Sequence, residues 1–152
     1  MAETFRCQLQ WSGAAKGPTA DASYSRDLAI TGETAPNLSM SAASSFKGDP
    51  ARWNPEQLLV ASLSACLALT YLHLAATNGI QVVAYADSGE GKLGLASGKM
   101  CITHVTLRPV ITLAAGSDRE KATGLVEKAH AQCFISNSVT TRVEIHPTIE
   151  MR

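Results

Sequence analysis

Residues 53–66 have the sequence WNPEQLLVASLSAC, and this stretch decides the fold because it carries the start signals of a long helix. Asn54 suits the N-cap, since its side-chain oxygen can accept a hydrogen bond from a free N–H of the first turn. Pro55 suits the first helical position, where its missing N–H is not needed. Gln57 can hydrogen-bond back to the cap residue in a weaker form of the capping box. The apolar run then continues until Asn78-Gly79, which provides the stop signal.

The predicted helix is apolar on nearly all sides, which is typical of a helix that is buried in a core or spans a membrane. We expect a core helix, because polar residues interrupt the run and no cluster of Lys or Arg flanks it. One face holds a cysteine in its middle, and by helical spacing it comprises Leu59, Ser62, Leu63, Cys66, Leu69, Thr70 and His73. This buried thiol is a candidate site, although free cysteines are also often buried for packing alone.

Composition predicts one domain, residues 1–152, with a sizeable core, since 45% of the residues are hydrophobic. The 13 basic and 13 acidic residues balance, which argues against nucleic acid as a partner because phosphate binding needs a basic surface. The N-terminal residues show no signal region, so a cytoplasmic protein is expected. In a reducing compartment, four cysteines without a CxxC pair favour packed or catalytic thiols over structural disulfides.

Alternation of apolar and polar residues predicts strands before and after the central helix. The predicted strands are residues 5–11, 23–30, 37–41, 80–87, 92–96, 99–113 and 139–145. Pro109 cannot donate to a sheet, so an edge or a bulge is expected there. Ser117 and Glu120 form a capping box that opens a second helix, which ends near Gln132. The order indicates an α+β fold with two apolar helices against antiparallel sheet.

Cys66 and Cys133 are both predicted to point inward, from two different helices, either for packing or for function. A nucleophilic Cys66 must be a thiolate, but it lies about three turns into its helix, beyond the reach of the helix dipole. Burial alone would raise its pKa, so a nearby cation is expected. Arg26, on the apolar side of its predicted strand, and Arg52 are the candidates. Glu56 could hold such an arginine, or could be an ordinary acid at a helix start.

Two pairs of residues could in principle bind zinc together, namely Cys66 with His73 and His130 with Cys133. The first pair would lie about two turns, roughly 10 Å, apart along the helix, which is too far for one zinc ion. The sequence also has no Gly-rich phosphate loop and no hydrolase or metalloprotease motif. We therefore expect no metal and no cofactor.

Two separated motifs together resemble the OsmC/Ohr family of osmotically induced and organic hydroperoxide resistance proteins. The first is NPEQLL at residues 54–59 with SAC at 64–66, and the second is HAQCFISN at 130–137. The stretch YLHL at 71–74 is similar to that of a less-studied OsmC-like subgroup. The resemblance implies antiparallel sheets around two long helices, in an intertwined homodimer with the central helices packed at its centre.

The resemblance further implies a cysteine-based peroxidase that acts on organic hydroperoxides. Cys66 would attack the peroxide and become a sulfenic acid, and Cys133 would resolve it to a disulfide that an external dithiol reduces. Glu56 would hold the activating arginine. Ser45 occupies one of the positions at which the family places that arginine, so the candidates are Arg26, the first choice because of its inward side, and Arg52, the second. The alternatives are a binding module for a small hydrophobic ligand at the dimer interface, with structural cysteines, or a purely structural dimer. No membrane or nucleic acid partner is expected.

Overall fold

The computed structural model describes residues 3–152 and divides into two compact units, which meet in sequence between Leu58 and Leu59. Each unit is described by itself below. The interpretation of residues 1–152 as one domain stays a prediction. The α+β class is confirmed, since the chain contains nine strands and two α-helices within the described residues.

The first unit contains a three-stranded antiparallel sheet in the order β1-β2-β3. Its strands are β1 (Gln8–Gln10), β2 (Leu28–Thr31) and β3 (Leu38–Met40). The third strand lies where it was predicted, but the second begins five residues later than expected. Arg26 precedes this strand, so the prediction that it faces the core from a strand is wrong. Turns of 3-10 helix at Ser12–Lys16 and Ser44–Phe46 complete the unit.

Helix α1 (Pro55–Thr77) has both of the predicted end signals. The Asn54 side-chain oxygen accepts from the Gln57 N–H at 2.8 Å, and the Gln57 side chain accepts from the Asn54 N–H at 3.2 Å. The helix ends at Thr77, and Gly79 just beyond it has a φ of +74°, a left-handed conformation that glycine adopts without strain. The reciprocal hydrogen bonds confirm the capping box predicted from the sequence.

The second unit contains two three-stranded sheets, with orders β4-β7-β9 and β5-β6-β8. The strands are β4 (Val82–Ala86), β5 (Glu90–Ala96), β6 (Lys99–Leu107), β7 (Val110–Leu113), β8 (Arg142–Ile145) and β9 (Thr148–Met151). The sheets are mixed rather than antiparallel, because β6 pairs with β8, and β7 with β9, in parallel. Parallel partners need a long crossover, and the segment containing the second helix provides it.

Three local predictions in this unit are corrected by the structure. The long strand predicted for residues 99–113 is two strands in different sheets, and the break falls at the buried Pro109. Helix α2 (Arg119–Ala131) is capped by Asp118, not by Ser117, since the Asp118 carboxylate accepts from the Lys121 N–H at 2.9 Å. The last strand, β9, was not predicted at all, because it is short and follows Pro147 directly.

Helix α1 contributes one stripe of side chains, Leu63, Leu67, Tyr71 and Ala75, to the core of the second unit. The Tyr71 hydroxyl donates to the Ala122 carbonyl at 3.1 Å and so ties α1 to α2. The opposite side is open, and Leu69 is 70% exposed. Within a single chain, α1 is therefore buried along one stripe only. By length and composition α1 could also cross a membrane, a test that core helices of soluble proteins pass as well.

Candidate functional site

Cys66 and Cys133 are brought together within the second unit, and both are free thiols. Cys66 lies in the middle of α1, next to the buried Leu67, and is partly exposed. Cys133 lies two residues beyond the end of α2 and is fully buried, in line with the predicted apolar face of that helix. The same face contributes Ala122, Leu125, Val126 and Ala129 to the core.

Hydrogen bonds act on the Cys66 sulfur from two directions. Burial alone would raise the pKa of Cys66, but hydrogen bonds outweigh it and hold the pKa below its usual value. The donors are the Cys133 thiol, the backbone N–H groups of Ile135 and Phe134, and the Thr70 hydroxyl. The sequence argument that a cation must activate this thiol was therefore incomplete, since neutral donors also stabilise a thiolate.

The backbone donors come from a tight turn after α2. The Cys133 carbonyl accepts from the Asn137 N–H at 3.0 Å, and the Ile135 carbonyl accepts from the Ser138 N–H at 3.0 Å. These bonds close a 3-10 turn at Ser136–Ser138, and the N–H groups that precede it are directed at sulfur. Successive N–H groups in a turn form a concave site that favours negative charge. The turn is therefore suited to holding a thiolate.

The environment of Cys133 has the opposite effect on its thiol. Burial and the hydrogen bond with Cys66 raise the pKa of Cys133, although the hydroxyl and the N–H of Ser136 act in the other direction. The Ser136 N–H lies 3.5 Å from the Cys133 sulfur. At neutral pH the proton is thus kept on Cys133, and Cys66 is the better nucleophile of the two.

Glu56 and the two candidate arginines belong to the first unit, which includes the first residues of α1. One carboxylate oxygen of Glu56 is buried without a hydrogen-bond partner among the described residues. Arg26 donates to the carbonyls of Tyr24 and Ala22 and stacks on the Tyr24 ring at 4.2 Å. Arg52 pairs with Asp49 at 3.2 Å and lies 3.7 Å from Asp27. Neither arginine is paired with Glu56, so the predicted acid–arginine pair is not formed in this structure, and the roles of these residues stay predictions.

The other cysteines and the histidine on α1 lie outside this site. Cys7 and Cys101 are exposed. His73 is exposed on α1. Within residues 3–152 no group of three or more His, Cys, Asp or Glu side chains is arranged to hold a metal ion.

Sequence reasoning missed the donors to the two sulfurs. Helical spacing placed Thr70 on the face of Cys66, but gave it no role as a donor. The N–H groups of Phe134 and Ile135 could not have been found, since their direction depends on the path of the turn rather than on side-chain identity. Ser136 was seen only as part of a motif, without a role.

The fold and the thiol pair define the class: an α+β protein with two cysteines brought together from two helices. The chain belongs to the OsmC-like protein family, whose family model matches residues 47–148, more than half of the sequence. This confirms the resemblance inferred from residues 54–66 and 130–137. None of the curated proteins compared with the chain matches it.

Solved structures of the same family share the fold. An OsmC-like protein of unknown function from Vibrio cholerae is 29% identical, with a TM-score of 0.89, over 96% of this chain and 99% of that one. An organic hydroperoxide resistance protein from Legionella pneumophila is 21% identical, with a TM-score of 0.69, over 99% and 98%. The corresponding protein of Bacillus subtilis is 21% identical, with a TM-score of 0.62, over 97% and 98%. At these lower identities the likeness establishes the fold alone.

Proposed function

We propose that this protein is a thiol-dependent peroxidase that reduces organic hydroperoxides through Cys66 and Cys133. The observation that carries the proposal is the juxtaposition of two free thiols, a partly exposed one on α1 and a buried one just beyond α2. Hydrogen bonding lowers the pKa of Cys66, whereas burial and the contact with Cys66 raise that of Cys133. Membership of a family that includes organic hydroperoxide resistance proteins supports it. A low-pKa, partly exposed thiol beside a second thiol is the arrangement of redox-active cysteines.

The reaction runs in two steps on the protein. The Cys66 thiolate attacks the terminal peroxide oxygen, the O–O bond breaks, and the alcohol leaves after taking up a proton while Cys66 becomes a sulfenic acid. The Cys133 sulfur then attacks the Cys66 sulfur, the S–O bond breaks, and water leaves with the proton of Cys133. The disulfide that forms protects Cys66 from further oxidation. An external dithiol returns both cysteines to thiols.

Apolar side chains flank the partly exposed thiol and favour alkyl or lipid-like peroxides over hydrogen peroxide. Leu69 shares the helix face of Cys66, and Phe134, whose N–H is directed at Cys66, is 80% exposed. Burying such surface against an alkyl chain contributes about 25 cal/mol per Å². A hydrocarbon substituent on the peroxide would therefore increase affinity, and hydrogen peroxide has no such substituent.

The working assembly proposed here is a cytoplasmic homodimer, with no membrane or nucleic acid partner. The open side of α1 supports the dimer, since large apolar residues on it, including Leu69 and Leu72, are exposed. The four thiols are all free, which suits a reducing compartment.

Glu56 and an arginine are proposed to complete the activation of Cys66. The partnerless buried oxygen of Glu56 supports this, because such an oxygen lacks the compensation that a guanidinium would supply. Arg26 is held only by main-chain carbonyls of its own loop and by one ring, so its side chain can be released at modest cost. Arg52 has two carboxylate neighbours and is the second choice. Replacing each arginine by Met and comparing peroxide rates distinguishes the two.

The deciding experiment is stopped-flow oxidation of the reduced protein by cumene hydroperoxide, with thiol loss as the signal. Cys66→Ser is expected to abolish the fast phase, and Cys133→Ser to leave a sulfenic acid that dimedone labels. Cys101→Ser is the matched control, since Cys101 is an exposed free thiol on β6. An unchanged rate in Cys66→Ser would refute the peroxidase and leave the binding module as the better interpretation.

A further inference from the structure

The buried sulfur of Cys133 has its own hydrogen-bond donor, which the peroxide step does not use. The backbone N–H of Ser136 lies 3.5 Å from the Cys133 sulfur, and the Ser136 hydroxyl also hydrogen-bonds to it. In that step the thiolate is on Cys66, so a donor to Cys133 contributes nothing to the attack. A donor directed at a sulfur stabilises its thiolate, so this donor acts in a step in which Cys133 carries a negative charge.

The two sulfurs differ in how far they can be reached from solvent. Cys133 is fully buried, whereas Cys66 is partly exposed. Thiol–disulfide exchange needs the attacking thiolate to contact one of the two sulfurs, and access decides which one. In the oxidised protein an external dithiol therefore reaches Cys66, and the sulfur that must leave is Cys133.

We infer that Ser136 is a positioning residue for the reductive half of the cycle, in which its N–H and hydroxyl stabilise Cys133 as the leaving thiolate. The inference rests on the proposed function, because it concerns the Cys66–Cys133 disulfide. A leaving thiol whose thiolate is stabilised departs faster. Without this donor a buried sulfur would leave as an uncompensated negative charge, which is costly.

The exchange balances with a dithiol as the only reductant. One thiolate of the dithiol attacks the Cys66 sulfur, the Cys66–Cys133 bond breaks, and Cys133 leaves as a thiolate that takes up a proton. The second thiol of the reductant then attacks the reductant's first sulfur, which is bonded to Cys66 in the mixed disulfide. The bond to Cys66 breaks, and Cys66 leaves as a thiolate that takes up a proton. Two electrons pass from the dithiol to the protein disulfide, and the dithiol leaves as a cyclic disulfide.

The test begins with protein whose disulfide is formed by diamide, so that it does not depend on peroxidase activity. Reduction by dithiothreitol is followed in stopped flow between pH 6 and 9. Ser136→Ala removes the hydroxyl and keeps the backbone N–H, and it is expected to slow reduction about tenfold, as for the loss of one hydrogen bond to a charged group. Ser136→Thr, which keeps the hydroxyl, is expected to restore the rate. Ser138→Ala is the control, because its hydroxyl lies in the same turn but donates to the Phe134 carbonyl.

A second measurement identifies the leaving sulfur directly. The diamide-oxidised protein is treated briefly with 2-mercaptoethanol, quenched in acid, alkylated and mapped by mass spectrometry. The expected result is the mixed disulfide on Cys66 and the alkyl group on Cys133. The reverse pattern, or an unchanged reduction rate in Ser136→Ala, would overturn this inference and leave the peroxidase intact. Failure of diamide to join the two cysteines would overturn both.

Discussion

The thiol of Cys133 hydrogen-bonds to Cys66, and this contact shifts the pKa values of the two sulfurs in opposite directions. It lowers the pKa of Cys66, because the Cys66 thiolate gains a donor. It raises the pKa of Cys133, because a Cys133 thiolate would form beside a sulfur that is already negatively charged. The two thiols titrate as a pair, so the first proton lost belongs mainly to Cys66. The hydrogen bond between the two thiols thus makes Cys66 the attacking thiol and leaves Cys133 as the resolving one.

Alkylation of the reduced protein is therefore expected to select Cys66 at neutral pH. Iodoacetamide reacts with thiolates, so its rate at Cys66 rises at a lower pH than at Cys133. Cys133→Ala removes the donor and should slow alkylation of Cys66 at pH 7, by about tenfold for each unit by which its pKa rises. Cys133→Ser keeps a hydroxyl donor and is the matched control. Equal rates in the two variants, measured by mass spectrometry, would show that this hydrogen bond does not activate Cys66.

Tyr71 and Tyr85 are expected to respond in opposite ways to loss of their hydroxyl groups. Their rings are 6.1 Å apart, but only Tyr71 donates, to the Ala122 carbonyl, whereas the buried Tyr85 hydroxyl has no partner among the described residues. Tyr71→Phe should cost about 1 kcal/mol by urea unfolding, since it removes one buried hydrogen bond. Tyr85→Phe should be neutral or slightly stabilising. A larger loss in Tyr85→Phe than in Tyr71→Phe would contradict this assignment.

The same tyrosines predict a loss of stability at high pH. Burial raises the pKa of Tyr71, and burial together with the Asp87 charge raises that of Tyr85. The native state therefore keeps these protons after the unfolded chain has lost them, and stability falls as the pH rises above about 10, the ordinary tyrosine value. Urea midpoints at pH 8 and pH 11 measure the effect, and Tyr85→Phe should show a smaller decrease than the wild-type protein. A midpoint that does not change over this range would refute it.

The ends of α1 and the buried face of α2 could be predicted because both depend on residues close in sequence. The cap at Asn54, the stop at Gly79 and the apolar face from Ala122 to Cys133 are set by local hydrogen bonds and helical spacing. The parallel pairing of β8 with β6 and of β9 with β7 could not be predicted, since short strands of the same composition pair in either direction.

The site shows the same division between local and long-range features. The two cysteines could be selected from their helices, and their proximity followed from the family resemblance. The open side of α1 could not be predicted, because an apolar helix gives no sign of which side a partner element covers. The backbone donors to Cys66 depend on the path of one turn, which the residue types of that turn do not fix.

The cap at Asn54 is expected to contribute measurably to the stability of α1. Asn54→Ala removes the acceptor for the Gln57 N–H and should lower the free energy of unfolding by about 1 kcal/mol. Asn54→Asp, which keeps a capping oxygen, is the control and should retain most of that stability. Urea unfolding followed by circular dichroism makes the comparison, and equal midpoints for wild type and Asn54→Ala would show that the cap is redundant.

The open side of α1 gives the sharpest test of the proposed homodimer. Leu69→Lys places a charge on a side chain that is 70% exposed in one chain, so a monomer would tolerate it within about 0.5 kcal/mol. If a second copy covers this face, the charge is buried at the interface and the variant should sediment as a monomer. Leu67→Ala, two residues away in the core, is the contrasting variant and should lose about 2–5 kcal/mol of stability through a cavity. Identical sedimentation of wild type and Leu69→Lys, with unchanged unfolding, would remove this face of α1 from any dimer interface.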